Sequence, residues 1–137
     1  MVIITTNIKG QLAVSKAELR AFELGYIPSR PLYDSRYDLI IDNREKLIRV
    51  QVKYGDGKSS NSQGAIVVKL DYENRKKENF TYHNLEVDVL VVYIPKLERL
   101  CYFPLEIFEG KRKLTIRIEK PKINQVKGII FAKDYYW

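Results

Sequence analysis

Two short stretches decide the fold, residues 37–42 (YDLIID) and residues 50–54 (VQVKY). The first stretch and residues 46–54, which contain the second, flank a turn at residues 43–45 and are typical of the two strands of a hairpin. Because side chains alternate between the two faces of a strand, Asp38 points away from the aliphatic residues that follow it. Gln51 and Lys53 share the face opposite their valine neighbours for the same reason. If the strands pair, these three polar side chains converge at one point of the sheet.

Such a group of side chains is what metal-dependent phosphodiester cleavage requires. A carboxylate holds the divalent ion, further oxygens complete its coordination, and a cation orients water or balances the developing charge. Asp38 supplies the carboxylate and Lys53 the cation. The carbonyl of Val52 lies between the two polar side chains of its strand and is placed to supply one further oxygen. We therefore predict a Mg²⁺ site with Asp38 and Val52 as ligands.

Each of these residues also has a plain structural interpretation. Asp38 could form a turn or a salt bridge, and Lys53 taken alone is typical of a solvated edge-strand lysine. The aliphatic run after Asp38, and the shared face of Gln51 and Lys53, favour the site. Asp42 lies on the face of Asp38 but next to the turn, and we interpret it as structural.

The first periodic element predicts a helix over residues 8–24, with Asn7 as its N-cap and Gly25 as its C-terminal stop. Gln11 and Glu18 fall on one face of this helix, among apolar neighbours. Polar groups placed there need partners, because burying one without a hydrogen bond is costly. This face is therefore a second candidate part of the site.

The remaining chain predicts a mixed sheet. Residues 87–94 are almost continuously apolar, which is typical of a central strand that is covered on both faces. Further strands are expected at residues 65–70, 100–103 and 114–118, and a short edge piece at residues 26–32. An N-terminal helix followed by such a sheet predicts an α/β or α+β fold, with a mixed central β-sheet flanked by helices.

The composition limits the class of protein. The 137 residues are 45% apolar and 30% charged, which fits one globular domain over residues 1–137. The longest apolar run is far shorter than the roughly 20 residues of a membrane span, and the N-terminus lacks the features of a signal peptide. A single cysteine, Cys101, and a single histidine, His83, argue against disulfides, cysteine-rich zinc sites and a Ser-His-Asp triad. We expect no membrane partner and a cytoplasmic location.

The charge is distributed unevenly. The chain carries 24 basic and 17 acidic residues, a net charge of +7, and the basic excess lies after residue 45. Residues 111–127 alone contain seven basic residues and a single acid, Glu119. This pattern favours a polyanionic partner such as nucleic acid, although a basic face that serves only solubility is about as plausible.

Four short motifs and their order resemble the PD-(D/E)XK nuclease superfamily, which has the restriction-endonuclease fold. They are Lys9-Gly10, the helix ending at Gly25-Tyr26, Tyr37-Asp38, and Arg49-Val-Gln-Val-Lys53. The resemblance is closest to the branch that contains the cyanobacterial group I intron-encoded homing endonuclease. Similar core strands at residues 87–93 and 101–104 extend it over roughly residues 9–104. It implies a restriction-endonuclease-like core whose N-terminal helix carries part of the site, with Gln11, Asp38, Gln51 and Lys53 as catalytic residues.

Two positions depart from the usual pattern of this superfamily. The acid that commonly precedes X-Lys is Gln51 here, a change that this branch tolerates, and it removes one negative charge from the metal site. A glutamate is common early in the first helix, where this chain has Gln11. Glu18 lies on the same face of that helix and is the alternative helix acid.

The resemblance implies a sequence-specific, Mg²⁺-dependent DNA endonuclease of the homing type that makes a double-strand break. Mn²⁺ is expected to substitute for Mg²⁺, and Ca²⁺ to bind without turnover. The expected partner is double-stranded DNA with a partly palindromic target in the nucleoid. The protein would then be a homo-oligomer, at least a dimer and by resemblance a tetramer. Two alternatives stay open, namely a structure-specific junction resolvase and a non-catalytic DNA-binding module on a degenerate nuclease fold.

Three polar or basic segments are candidates for DNA contacts, because Asn, Gln and Lys can contact base edges while Lys and Arg bind phosphates. A solvated surface is about as plausible for any single one of these residues. The first segment is a loop with Lys58, Ser59, Ser60, Asn61, Ser62 and Gln63, and the second is the cluster of Arg75, Lys76 and Lys77. The third consists of Lys111, Arg112 and Lys113. These three residues begin a basic C-terminal segment, residues 111–137, which we expect to make DNA or subunit contacts.

Overall fold

The computed structural model describes residues 2–59, 64–120 and 128–137, which form a mixed sheet with a long helix on one face. No helix among these residues is long and apolar enough to cross a membrane. In chain order the elements are α1 (Thr6–Glu23), β1 (Ile27–Ser29), β2 (Leu39–Asp42), β3 (Leu47–Tyr54), β4 (Ala65–Lys69), β5 (Tyr72–Glu73), β6 (Asn79–Phe80), β7 (Val89–Ile94), β8 (Arg99–Pro104), α2 (Leu105–Phe108), β9 (Lys113–Arg117) and a final 3-10 turn (Ala132–Tyr135).

Helix α1 begins earlier than the sequence predicted. Thr5 is its N-cap, and the Thr5 hydroxyl accepts a 3.3 Å hydrogen bond from the N–H of Ile8. The prediction of Asn7 as the N-cap is wrong, because the extended backbone of Thr5 places a hydroxyl at the helix end and leaves Asn7 inside the first turn. The predicted stop is confirmed: Gly25 has a φ of +79° and donates a 2.9 Å hydrogen bond to the Phe22 carbonyl.

The central sheet has the strand order β1-β2-β3-β7-β8. The predicted β2–β3 hairpin is antiparallel, β3 and β7 are parallel, and β7 and β8 are antiparallel, so the sheet is mixed as predicted. All six residues of β7 are buried, in agreement with the covered central strand expected from its apolar sequence. Strand β1 carries Pro28 at the edge of the sheet, where a missing N–H removes no ladder bond.

Two apolar layers hold the sheet. On one face, Ala13, Ala17 and Ala21 follow each other at intervals of four residues, and their small side chains let α1 pack closely onto Leu39 and Val50. On the other face, the antiparallel pair of β4 and β9 lies over the alternate residues of β7. The residues that form this second layer include Ile66, Val68, Leu90, Val92, Leu114 and Ile116. The α+β architecture predicted from the sequence is therefore confirmed.

A hydrogen-bond network ties the beginning of β3 to the segment before β7. The guanidinium of Arg49 donates to both carboxylate oxygens of Asp88, at 3.1 and 2.9 Å, and to the carbonyls of Leu85 and Asn84, both at 2.7 Å. The backbone N–H of Arg49 also donates to Asp88 at 2.8 Å. Because β3 carries most of the candidate site, this network fixes the strand that positions it.

Candidate active site

The hairpin places Asp38 beside the middle of β3. The β2–β3 ladder begins with the pair Leu39 and Val50, so Asp38 lies just outside it. Its own N–H donates a 2.8 Å hydrogen bond to the Val50 carbonyl, and its carboxylate accepts a 2.9 Å hydrogen bond from the N–H of Val52. The side chain therefore takes the place of a backbone partner, and this fixes the carboxylate against β3.

Gln51 is the one buried polar side chain in the part of the chain that the structure describes, with 8% of its surface exposed. Its amide Nε2 donates a 3.3 Å hydrogen bond to the carbonyl of Val52. Buried amides are stable only when they are hydrogen-bonded, and this bond brings the amide to the Val52 carbonyl. The structure thus places the Asp38 carboxylate at the N–H of Val52 and the Gln51 amide at its carbonyl.

Lys53 is half-buried on the same strand, and its ammonium lies 5.6 Å from the centre of the Tyr82 ring. Burial lowers the pKa of Lys53, and the charges of Asp38 and Asp71 partly oppose this shift. Burial also raises the pKa of Tyr82 to about 12, with a further contribution from Asp38. Tyr82 was not singled out from the sequence, because its segment, residues 71–83, has no clear periodicity.

Partial burial of Asp38 disfavours the ionised form of its carboxyl group. Burial raises its pKa above the usual range, while the Val52 N–H and the charges of Lys53 and Arg30 partly lower it. A half-buried carboxylate of this kind gains stability from a nearby cation, since burial has removed part of its hydration. The site therefore combines a partly buried carboxylate with a partly buried ammonium.

Arg30, which follows β1, is a residue that no sequence pattern singled out. Its guanidinium donates to both oxygens of Glu18, at 2.7 and 3.0 Å, and to Gln11 Oε1 at 2.7 Å. Gln11 and Glu18, the two helix candidates, therefore share one partner. Gln11 is thus bonded to Arg30, whereas Asp38 is bonded to the backbone of β3.

Several candidate DNA contacts lie on the surface. Arg75, Lys76 and Lys77 are exposed in the turn between β5 and β6, and Lys58 is exposed beside an isolated bridge to Ile66. Ser59 is partly buried. Ser60, Asn61, Ser62 and Gln63 lie outside the described residues, as do residues 121–127 of the basic C-terminal segment.

The basic cluster at the start of β9 lies next to the end of β4. Lys111, Arg112 and Lys113 are exposed, and Lys113 pairs with Lys69 across the two-stranded ribbon. The charge of Lys69 is close enough to lower the pKa of Lys53. Lys69, at the end of the ribbon that also carries Lys113, therefore acts electrostatically on Lys53.

The atoms around Asp38 that could bind a metal ion are oxygens. A carboxylate, the Val52 carbonyl and the amide of Gln51 are the kinds of ligand that Mg²⁺, Mn²⁺ and Ca²⁺ accept, and Mg²⁺ commonly keeps several waters beside one or two carboxylates. No three His, Cys, Asp or Glu side chains gather into a metal-binding group within residues 2–59, 64–120 and 128–137. The residues present fit a hard divalent ion held by few protein ligands.

A hairpin that presents Asp38 and a Gln-X-Lys strand, with a helix packed behind it, defines a restriction-endonuclease-like nuclease. The chain belongs to the PD-(D/E)XK endonuclease family, whose model matches residues 4–137. The resemblance stated from the sequence is thereby confirmed. Nucleases of this family typically use divalent metal ions, and their substrate is DNA. No match was found among curated protein sequences.

Two solved structures are similar to the chain. The bacterial homing endonuclease I-Ssp6803I has 25% sequence identity and a TM-score of 0.78, with 96% of this chain and 88% of that chain covered. Hjc, a Holliday junction resolvase from the archaeal hyperthermophile Archaeoglobus fulgidus, has 10% identity and a TM-score of 0.50, with 80% and 84% covered. At that identity the likeness to Hjc concerns the fold alone.

Proposed function

We propose that the protein is a Mg²⁺-dependent, sequence-specific DNA endonuclease of the homing type that hydrolyses phosphodiester bonds. The observation that carries this proposal is the convergence of three groups on one stretch of β3. Asp38 is bonded to the Val52 N–H, Gln51 is bonded to the Val52 carbonyl, and Lys53 lies half-buried beside them. The family membership and the similarity to a homing endonuclease support the same function.

Asp38 and the Val52 carbonyl would hold the divalent ion, and the amides of Gln51 and Gln11 would border it. The bound ion supplies Lewis acidity and lowers the pKa of the attacking water. Lys53 would orient that water or balance the charge that develops on the phosphate, an effect that is stronger in a partly desolvated site. Mn²⁺ is expected to support cleavage, and Ca²⁺ to bind without turnover.

The exposed basic residues would hold the DNA backbone across the site. Lys111, Arg112 and Lys113, beside the end of β4, would form one contact, and Arg75, Lys76 and Lys77 would form a second. Lys58, Ser59, Ser60, Asn61, Ser62 and Gln63 would read or follow the bases. The residues that the structure describes carry one candidate site per chain, and one site cuts one strand. A double-strand break would therefore require at least a dimer and a partly palindromic target in the nucleoid. A tetramer would read a longer site.

The test is cleavage of a randomised linear duplex library in Mg²⁺, with sequencing of the new ends. We expect ends that share one partly palindromic motif, and no ends in EDTA or with the Asp38→Asn variant. A four-way junction of unrelated sequence is assayed in parallel. Cutting of the junction without any motif in the linear library would identify a structure-specific resolvase. Tight binding without cleavage of either substrate would identify a non-catalytic DNA-binding module.

A further inference from the structure

Arg30, just after β1, is held on helix α1 by three short hydrogen bonds, and its charge acts on Asp38. Two of them form a fork with Glu18 Oε1 and Oε2, and the third goes from Nη1 to Gln11 Oε1. The fork is well suited to a planar guanidinium and restricts its orientation. Glu18 is the less exposed partner, with 25% of its side chain exposed against 43% for Arg30. Glu18 therefore anchors Arg30 to α1, and Arg30 in turn holds Gln11.

The hydrogen bond from Arg30 makes the side-chain oxygen of Gln11 a poor metal ligand. An oxygen that accepts a hydrogen bond from a guanidinium at 2.7 Å lies next to a full positive charge. A divalent ion on the same oxygen would be within a few ångströms of that charge, and the two cations would repel each other. The Nε2 hydrogens of the amide remain, and they are donors.

We propose that Arg30 is a positioning residue that fixes Gln11 with Oε1 towards itself, so that Gln11 serves the reaction as a hydrogen-bond donor and not as a metal ligand. The donor would face the scissile phosphate or the attacking water. This inference rests on the proposed nuclease function and specifies the part that α1 plays in it. Glu18, with both oxygens on Arg30, is then not a metal ligand either.

Calcium binding by calorimetry separates a ligand from a donor, because it requires no turnover. We expect Gln11→Ala to leave the Ca²⁺ affinity within about twofold of the wild type, whereas loss of a ligating side chain costs well over tenfold. Gln11→Glu should strengthen Ca²⁺ binding. One oxygen of the new carboxylate can accept the hydrogen bond from Arg30, and the second can bind the ion. A loss of more than about tenfold in Gln11→Ala would overturn the proposal. The Asp38→Asn variant is the control for the site itself: if it binds Ca²⁺ normally, the proposed metal site fails rather than the role of Arg30.

Cleavage kinetics test whether Arg30 acts through Gln11. Gln11→Ala and Arg30→Gln should each lower kcat by about 100-fold, the cost of one transition-state donor, with KM for DNA little changed. The double variant should be no slower than either single variant, because both remove the same contact. Arg30→Lys keeps the charge but not the fork and should not restore kcat. Additive losses, or full rescue by lysine, would contradict the positioning role.

The matched control is Arg99→Gln, which removes an exposed arginine stacked 4.6 Å from the Tyr136 ring, outside the site. It should leave kcat, KM and Ca²⁺ affinity at wild-type values. Arg30→Gln should also lower the Tm by only a few degrees, since an exposed ion pair contributes little to stability. A large drop in Tm for Arg30→Gln would instead show a structural role and would overturn the proposal.

Discussion

The carboxylate of Asp38 is bonded to the backbone N–H of Val52 at 2.9 Å, where a neighbouring strand would otherwise supply a carbonyl. The carbonyl of the same Val52 residue accepts from Gln51 at 3.3 Å. One residue of β3 therefore locates both the carboxylate and the carbonyl that we propose as metal ligands. Because β3 is held by the sheet, the backbone of Val52 fixes the position of its carbonyl and, through its N–H, restrains the Asp38 carboxylate.

Replacing Asp38 with asparagine should abolish Mg²⁺-dependent cleavage, by at least about 100-fold, and leave DNA binding largely unchanged. The asparagine keeps an oxygen for the Val52 N–H but loses the charge that holds the ion. Cleavage of a cognate duplex and its Kd in Ca²⁺-free buffer are the measurements. Asp42→Asn is the matched control, since Asp42 lies at the other end of β2 and accepts a hydrogen bond from the N–H of Arg44. Wild-type cleavage by Asp38→Asn would refute the assignment.

Lys53→Met should also lower the cleavage rate by about 100-fold, while changing metal affinity less than Asp38→Asn does. The methionine keeps an unbranched chain beside Tyr82 and removes the ammonium. Burial already disfavours the charged form of Lys53, as its lowered pKa shows, so the free energy of unfolding should not fall. Single-turnover cleavage and thermal unfolding test this, with the exposed Lys46→Met as control. An unfolded Lys53→Met protein, or normal cleavage, would contradict the prediction.

The Arg49–Asp88 contact should make stability depend on pH on the acid side. Hydrogen bonding from Arg49 lowers the pKa of Asp88, so its ionised form stabilises the folded state above the ordinary carboxyl pKa. That contribution is lost as the pH falls through the lowered value. Asp88→Asn should therefore cost about 1 kcal/mol at pH 7, a modest amount because the carboxylate is partly exposed.

Urea unfolding of the wild type and of Asp88→Asn between pH 7 and pH 2 tests this dependence. The difference in the free energy of unfolding should shrink as the pH falls. A constant difference over the whole range would show that the charge of Asp88 is not involved.

Removing Lys111, Arg112 and Lys113 together should weaken binding to all DNA sequences alike. The slope of log Kd against log salt concentration should flatten by about one unit for each phosphate that the variant no longer neutralises. A triple variant at Lys46, Lys96 and Lys133, which are also basic, controls for net charge. Equal slopes for the wild type and the Lys111, Arg112 and Lys113 variant would exclude the phosphate role.

Single substitutions of Asn61 or Gln63 should act differently, by relaxing the preference at particular base pairs. Amide side chains can pair with adenine through two hydrogen bonds, and the absence of one such pair costs about 1–3 kcal/mol of discrimination. Cleavage of a library that is randomised at each target position measures this effect. If cleavage instead falls equally for every base at every target position, these residues contact the DNA backbone and not the bases.

The sequence by itself determined the hairpin, the central strand and the face that carries the candidate site. Alternation along a strand is a local property, so the positions of Asp38, Gln51 and Lys53 followed from their spacing alone. The end of α1 at Gly25 was also local, since glycine adopts a positive φ without strain. The N-cap was predicted wrongly because two nearby residues, Thr5 and Asn7, both suit that position, and the backbone conformation selects between them.

Only the tertiary structure decided how the polar residues of α1 are placed relative to the candidate site. Arg30 is 12 residues from Glu18 and 19 residues from Gln11, and no helical or strand period links them. Their contact depends on how α1 packs onto the sheet through its alanines, which sets where the end of β1 meets the helix. Tyr82 approaches Lys53 only because the chain between β6 and β7 folds over the same face. Such contacts arise from the packing of whole helices and strands, and they cannot be predicted from local sequence patterns.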